Sequence, residues 1–128
     1  MPEYMLLLYT DEPDPGEQAK REGEMPQWFE LNEILSEAGV FRASGRLHPK
    51  DSATTVRVRD GETDITDGPF ATTKEILVGY YQLGCESLDE ALKYAAKVPL
   101  ARYGSVEVRP IMPPPNREEQ AQAAASQA

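Results

Sequence analysis

Residues 76–84 read Ile-Leu-Val-Gly-Tyr-Tyr-Gln-Leu-Gly, and this stretch decides the fold. Successive side chains of a strand point to opposite faces of its sheet, and both alternating sets here are largely apolar or aromatic. A strand with two such faces belongs in the middle of a sheet that is covered on both sides. The sequence therefore predicts a central strand over residues 76–84, with the other elements arranged around it.

The residues after this strand predict a helix and a final strand. Ser87 and Glu90 have the spacing of a capping box, which marks the start of a helix. The apolar stripe of this helix comprises Leu88, Ala91, Leu92, Ala95 and Val98. Pro99 should end the helix, because proline cannot continue the helical hydrogen bonds. Residues 105–111 alternate apolar with charged side chains, a pattern that is typical of a half-exposed strand.

The residues before the central strand contain a β-hairpin. Residues 54–59 and 62–66 alternate on either side of Asp60-Gly61, a dipeptide that two-residue type I′ turns prefer. The turn sets the cross-strand partners, which are Arg59 with Glu62, Val58 with Thr63, Arg57 with Asp64, and Val56 with Ile65. One face of the hairpin is then apolar, and the other face places opposite charges beside each other.

A turn of four residues joins the hairpin to the central strand. This turn is Asp67-Gly68-Pro69-Phe70, in which Gly68 supplies a permissive backbone before the proline. We expect the turn to be structural. We also expect the aromatic ring of Phe70 to be buried.

The first third of the chain predicts a strand, a helix and a second strand. Residues 3–10 form a buried strand, and residues 40–47 form a shorter one. Between them, residues 17–38 have a helical period that Gly23 interrupts, and we expect the helix to be kinked or broken near Pro26. The complete order is β-α-β, hairpin, β-α-β. It predicts an α+β class and a ferredoxin-like split β-α-β fold with an inserted β-hairpin.

Composition excludes more functions than it suggests. The 128 residues allow one domain, and 13 Lys and Arg against 22 Asp and Glu give a net charge of −9. This charge argues against direct nucleic-acid binding, and no apolar run predicts a membrane span or a signal peptide. Cys85 and His48 are single residues of their types, too few for a disulfide or a Cys-based metal site. We expect a cytoplasmic protein with no cofactor or metal, and an inert, buried thiol at Cys85.

Two residues are candidates for acid–base catalysis. His48 is the side chain best suited to exchange a proton near neutral pH, and it follows the strand 40–47. The hairpin register places Asp67 opposite Thr54, a short loop away from His48, so that the two could form a pair. The alternatives are a solvated loop histidine and an aspartate that accepts backbone N–H groups in its own turn.

Three residues are candidates for substrate binding. Arg46 could hold a carboxylate or phosphate with two hydrogen bonds, or it could be a solvated charge at a strand end. Tyr80 and Tyr81 point to opposite faces of the central strand, so that one could line a pocket and the other the helix layer. Core packing is the alternative for both tyrosines. We interpret Trp28 and Phe29 as core or dimer contacts.

Several stretches of the chain resemble one protein family. The most specific is 66–75, Thr-Asp-Gly-Pro-Phe-Ala-Thr-Thr-Lys-Glu. The others are residues 4–7, 53–61, 79–81, 88–91 and 104–110. The chain is thereby similar to the YCII-related family in its DGPF-domain branch. This resemblance implies a YCII-related domain over residues 1–112. A Pro-rich linker and a short polar tail, in which Asn116 could cap a helix, follow over residues 113–128.

The resemblance also implies an assembly and a range of functions. The implied assembly is a dimeric α/β barrel, in which the sheets of two subunits face each other. Parts of the family are suggested to use a His–Asp pair, and some DGPF proteins are linked to sigma factors. Two positions differ from the family pattern: residues 26–38 carry no histidine where shorter members place one, and Thr72 replaces a frequent glutamate.

Two hypotheses about function follow. The first is a small-molecule binder or acid–base enzyme, with a cleft near His48 and Asp67. The second is a regulatory module that binds a sigma-factor-related protein. A mostly apolar pocket that holds the polar candidates favours the first, and an open His48 with an exposed apolar patch elsewhere favours the second. In both we expect a homodimer, because one helical layer leaves an apolar face of the sheet uncovered.

Overall fold

A computed structural model describes residues 1–71 and 73–126, so that Thr72 and the last two tail residues lie outside the described residues. The strands are β1 (Glu3–Thr10), β2 (Phe41–Arg46), β3 (Thr54–Arg59), β4 (Glu62–Asp67), β5 (Ile76–Gly84) and β6 (Ser105–Pro110). The helices are α1 (Pro15–Glu22), α2 (Met25–Glu37), α3 (Leu88–Ala95) and α4 (Arg117–Ser126). Short 3₁₀ helices cover Lys50–Ser52 and Pro99–Arg102.

Four strands form one antiparallel sheet in the order β2-β5-β1-β6. β5 lies inside this sheet, which confirms that residues 76–84 are a central strand. β5 separates β1 from β2, and β1 separates β5 from β6, so both β-α-β units are split. This α+β arrangement is compatible with the ferredoxin-like fold. The sheet of the single chain is open, and it closes no barrel by itself.

The helix-covered face of the sheet forms the core. Alternate residues of β1 are buried on this face, among them Leu6 at 1% exposure and Leu8 at 4%. Leu83 of β5 is fully buried, and Leu35 of α2 packs in the same core at 1% exposure. The alternating pattern of β1 therefore corresponds to a sheet with one covered face.

The helical region before β2 is broken, as the sequence predicts. The break lies at Gly23, and Pro26 stands in the first turn of α2, where a missing N–H removes no helical hydrogen bond. The apolar stripe of α2 is only partly buried. Leu31 and Leu35 pack in the core, whereas Phe29 is 63% exposed.

The helix after β5 is shorter than predicted. Ser87 caps α3, because its hydroxyl accepts from the N–H of Glu90 at 3.2 Å, and the Glu90 carboxylate accepts from a backbone N–H before the helix at 2.8 Å. α3 ends at Ala95, and Pro99 begins a 3₁₀ helix instead of directly following α3. Before this proline the hydrogen bonding changes to the 3₁₀ type, because the N–H of Val98 donates to the carbonyl of Ala95, three residues earlier.

β3 and β4 form a separate two-stranded sheet. All four predicted cross-strand pairs are present, and the positive φ angles of Asp60 (54°) and Gly61 (79°) fit a type I′ turn. The apolar face of this hairpin is largely exposed. Val56 and Ile65 on that face are 60% and 67% exposed.

The prediction that Phe70 is buried is wrong. Its ring is 75% exposed, and the guanidinium of Arg57 lies over it at 5.2 Å from the ring centroid. The turn itself forms as expected, because Gly68 has a φ of +99° and its N–H bonds the carbonyl of Ala53 at 2.8 Å. Phe70 stays exposed because the separate hairpin sheet brings no second layer to cover it.

The C-terminal segment ends in α4, a helix without buried residues. Asn116 caps it as predicted, since the N–H of Glu119 donates to Oδ1 of Asn116 at 2.8 Å. Among the described residues, no helix combines the length and the apolar composition that a bilayer crossing requires.

Candidate functional site

A cavity of about 540 Å³ lies between the helices and one end of the four-stranded sheet. α2 contributes one wall, and the ends of β1, β2 and β5 contribute the other. The volume is within the range of small-molecule sites. Four of the candidate residues border this cavity: Arg46, His48, Tyr80 and Tyr81.

Aromatic side chains form much of the cavity wall. The rings of Trp28 and Tyr81 stack at an interplanar angle of 4°, with their centroids 6.4 Å apart. Met25 and Phe29 of α2 also line the cavity, and both side chains remain exposed. Part of the apolar stripe of α2 therefore faces the cavity instead of the core.

Arg46 and His48 lie at the mouth of the cavity. Arg46 is the last residue of β2, where it pairs with Gly79, and Ser44 pairs with Tyr81. Because directly paired residues share a face, Arg46 leaves the sheet on the same face as Tyr81. Both Arg46 and His48 are exposed residues that border the cavity. Two candidates of complementary chemistry therefore lie at one opening.

Arg21, the second arginine that borders the cavity, already forms ion pairs with neighbouring carboxylates. Nη2 of Arg21 lies 3.0 Å from Oδ1 of Asp11, its Nε lies 3.4 Å from Oε1 of Glu17, and its guanidinium is 4.4 Å from the ring centroid of Tyr103. The hydrogen bond from Arg21 lowers the pKa of Asp11. Within residues 1–71 and 73–126, no carboxylate forms an ion pair with Arg46. Arg46 is therefore the cavity arginine that can accept an anion.

Tyr81 is held in the cavity wall by a long-range hydrogen bond. Its hydroxyl donates to Oδ1 of Asn32 at 2.7 Å, across 49 residues of sequence. Burial raises the pKa of Tyr81 to about 12, so that the hydroxyl keeps its proton at neutral pH. Asn32 is half-buried and borders the cavity. The pair provides a fixed polar point beside the stacked rings of Trp28 and Tyr81.

Tyr80 belongs to the opposite face of the sheet. It pairs with Leu7 on one side and Gly45 on the other. A Cβ atom at Gly45 would lie 2.5 Å from Cε1 of Tyr80, so the glycine is what allows the ring to pack against β2. The two tyrosines therefore diverge as predicted, with Tyr81 on the helix side.

Asp67 is not among the residues that border this cavity. It pairs with Thr54 at the base of the hairpin, as the register predicts, and it is exposed. In the described part of the chain, its carboxylate accepts no hydrogen bond from His48. The 3₁₀ helix Lys50–Ser52 lies between His48 and Thr54 in the sequence. The pairing of His48 with Asp67 stays a prediction.

Sequence reasoning missed Asn32 and Arg21 as cavity residues. A signal for Asn32 was present in the sequence. Asparagine has a low propensity for helix interiors, so an asparagine inside α2 suggests a specific role for its side chain. Trp28 and Asn32 are also four residues apart, which puts them on one face of α2. That face adjoins the core positions Leu31 and Leu35, and Trp28 itself packs against the core.

Few side chains here could hold a metal or react as a nucleophile. No group of three or more His, Cys, Asp or Glu side chains is gathered for a metal ion within the described ranges. Cys85 is fully buried, and burial raises its thiol pKa, with a further contribution from the carboxylate of Glu90. The prediction that the Cys85 thiol is buried is therefore confirmed, and its inertness stays a prediction.

Comparisons with known proteins identify the family of the chain. The family model described as the YCII-related domain matches residues 3–114. The uncharacterized protein R00369 of Rhizobium meliloti (strain 1021) is 42% identical over 112 residues, an alignment that covers 84% of this chain and 90% of the relative. The family match spans the four-stranded sheet and the hairpin. The chain therefore belongs to the YCII-related family.

Proposed function

We propose that this protein binds a small organic anion in the 540 Å³ cavity. The observation that carries the proposal is the position of Arg46 at the mouth of an aromatic cavity, without an ion-pair partner among the described residues. Ligand sites typically combine apolar walls with a few polar groups that fix orientation. A planar guanidinium at the mouth suits a carboxylate, which it can hold with two hydrogen bonds.

The overall charge of the chain sharpens this argument. A net charge of −9 repels anions from most of the surface, so an anion site needs a local cation. Arg21 is neutralised by Asp11 and Glu17, whereas Arg46 retains its charge for a ligand. The stacked rings of Trp28 and Tyr81 offer a flat apolar surface for the rest of the molecule.

Acid–base catalysis on the bound anion is part of the same proposal. His48 borders the cavity beside Arg46, so that it would exchange a proton with a ligand that Arg46 holds. Asp67 would orient His48 or stabilise its charged form. The supporting feature is the short path along the chain, because His48 leads through the 3₁₀ helix Lys50–Ser52 into Thr54, the ladder partner of Asp67.

We also propose that the protein belongs to the DGPF branch and forms a homodimer through the open face of the sheet. Met5 and Leu7 of β1 lie on that face, and Leu77 of β5 is 41% exposed there. A second copy would cover these residues and complete a two-layered barrel. Uncovered apolar side chains on a sheet face often mark a contact with another protein chain.

A second candidate function is supported by the exposed hairpin. Val56, Val58, Ile65 and Phe70 are all more than half exposed, and they lie outside the cavity. Apolar patches of this kind often mark protein–protein contacts. A regulatory module that binds a sigma-factor-related protein through β3 and β4 is therefore the alternative, and it needs no ligand in the cavity.

Calorimetric titration with 4-ethylbenzoate tests the main proposal. The compound combines a carboxylate with a flat apolar body, and 4-ethylbenzamide is its uncharged counterpart. We expect the benzoate to bind at least tenfold more tightly than the amide, because hydrogen bonds to charged groups contribute about 1.5–3 kcal/mol. Arg46→Met should remove this difference.

Arg57→Met is the matched control, because Arg57 lies on the hairpin and does not border the cavity. This variant should bind 4-ethylbenzoate like the parent protein. Equal affinities for the benzoate and the amide, or an effect of Arg57→Met that equals the effect of Arg46→Met, would contradict the proposal.

A further inference from the structure

We infer that the cavity selects organic acids that carry a carbonyl oxygen as well as a carboxylate, and that the side-chain amide of Asn32 recognises the carbonyl. This inference rests on the proposed function, since it takes Arg46 as the anion-binding group. It assigns a second polar subsite, deeper along the wall that Trp28 and Tyr81 form. The ligand would then be fixed at two points.

The orientation of the Asn32 amide follows from its hydrogen bond to Tyr81. A tyrosine hydroxyl with an acceptor beside it donates its proton, and the acceptor at 2.7 Å is Oδ1 of Asn32. Nδ2 of Asn32 then carries two N–H donors on the other side of the amide. In residues 1–71 and 73–126, Nδ2 donates to no protein acceptor, and Asn32 borders the cavity. An unused donor pair in an apolar wall suits a carbonyl or carboxylate oxygen.

Tyr81 keeps this amide from turning over. Its side chain is 5% exposed and stacks on Trp28, so the hydroxyl has little freedom to move. If the Asn32 amide turned by 180°, Nδ2 would donate to the hydroxyl oxygen, and the proton of this buried hydroxyl would lose its acceptor at Oδ1, which is unfavourable. Tyr81 therefore acts as a positioning residue, and Asn32 makes the contact with the ligand.

The spacing of the two subsites follows from the sheet register. Ser44 pairs with Tyr81, and Arg46 lies two residues further along β2 on the same face. Two residues of a strand span roughly 6.8 Å. This backbone spacing matches a ligand whose carbonyl oxygen and carboxylate are about one aromatic ring apart, with the ring against Trp28.

Two matched probes test the inference by calorimetry. 4-Acetylbenzoate has a keto oxygen across the ring from its carboxylate, and 4-ethylbenzoate has the same shape without that oxygen. We expect the parent protein to bind 4-acetylbenzoate about three- to tenfold more tightly, which is the range of a neutral hydrogen bond. Trp28 is the single tryptophan of the chain and borders the cavity, so its fluorescence reports whether either probe enters.

Three variants separate the roles of the residues. Asn32→Leu should remove the preference for 4-acetylbenzoate and leave the affinity for 4-ethylbenzoate within about twofold. Tyr81→Phe should weaken the preference, because the amide is then free to turn over. Gln27→Leu is the control, since Gln27 is an amide on the same helix that does not border the cavity, and it should keep the full preference.

The outcomes distinguish a failure of the subsite from a failure of the whole site. Equal binding of the two probes to the parent protein, with both still dependent on Arg46, would overturn the Asn32 subsite and leave the anion site standing. A preference that survives in Asn32→Leu would overturn the subsite as well. Absence of binding by both probes would overturn the proposed function and the inference together.

Discussion

Two antiparallel strand pairs of this chain have very different surroundings. In the pair β1–β5, Leu6 and Leu83 are 1% and 0% exposed beneath the helices. In the pair β3–β4, Val56 and Ile65 are directly opposite each other and are 60% and 67% exposed. Alternation and turn chemistry fix which residues pair, but they do not fix what covers the resulting face. Substitutions should therefore change the free energy of unfolding most where helices cover the paired strands. Strand pairing alone should matter less.

The largest expected effect is the loss of a core side chain from the central strand. Leu83→Ala should lower the free energy of unfolding by about 2–5 kcal/mol, because it removes a fully buried side chain and leaves a cavity between the sheet and the helices. Urea unfolding followed by circular dichroism measures this change. A loss below about 1 kcal/mol would show that the helix layer does not hold the sheet as described.

The next effect concerns the uncovered face of the same sheet. Leu7→Glu should dissociate the proposed homodimer, because it places a charge in the middle of the open face. Sedimentation should then change from about twice 14.2 kDa to a single chain at micromolar concentration. Val58→Glu on the hairpin is the control and should leave the dimer intact. Dissociation by Val58→Glu alone would assign the interface to the hairpin.

Alkaline pH should weaken the covered region through Tyr81. Burial raises the pKa of Tyr81 to about 12, above the value near 10 of an exposed tyrosine, so the unfolded chain loses this proton first. The stability contribution is complete below pH 10 and falls as the pH rises towards 12, by up to about 1.4 kcal/mol per pH unit. Unfolding measurements between pH 9 and 11 should show a smaller loss in Tyr81→Phe. Parallel curves for the two proteins would contradict this assignment.

The smallest effect is expected on the hairpin. Ile65→Ala should change the free energy of unfolding by less than about 0.5 kcal/mol, because a side chain that is 67% exposed loses little buried contact. The same urea experiment as for Leu83→Ala gives a direct comparison. A loss as large as that of Leu83→Ala would mean that another layer covers the hairpin in solution.

The pairing of the strands could be predicted because its signals are local. Asp60-Gly61 specifies a type I′ turn, and all four cross-strand partners follow from it. Residues 76–84 carry apolar side chains on both faces, and β5 is an inner strand. Each of these predictions depends on residues within one or two elements.

The burial of Phe70 could not be predicted in the same way. An aromatic ring after a tight turn is usually expected in a core, but burial requires a second layer, which distant residues must supply. Here the hairpin forms a separate two-stranded sheet, and the guanidinium of Arg57 lies over the exposed ring of Phe70. The apolar face of Val56 and Ile65 is exposed for the same reason.

The residues of the candidate site also differ in whether local sequence could predict them. Arg46 and His48 were found from their residue types at a strand end, and the structure brings them to one cavity. Asn32 was missed because its partner, Tyr81, is 49 residues away in the sequence. Its position opposite a buried hydroxyl depends on how α2 crosses the sheet, which residue patterns within α2 do not specify.

The most direct test of the proposed site is a map of amide shifts in the nitrogen–proton spectrum during titration with 4-ethylbenzoate. The proposed cavity site requires the largest shifts at residues 28–32 of α2 and at residues 44–48, with little change over the hairpin residues 54–67. Arg46→Met should reduce all of the α2 shifts together at a fixed probe concentration. Shifts confined to residues 54–67, or unchanged in Arg46→Met, would contradict the cavity as the binding site.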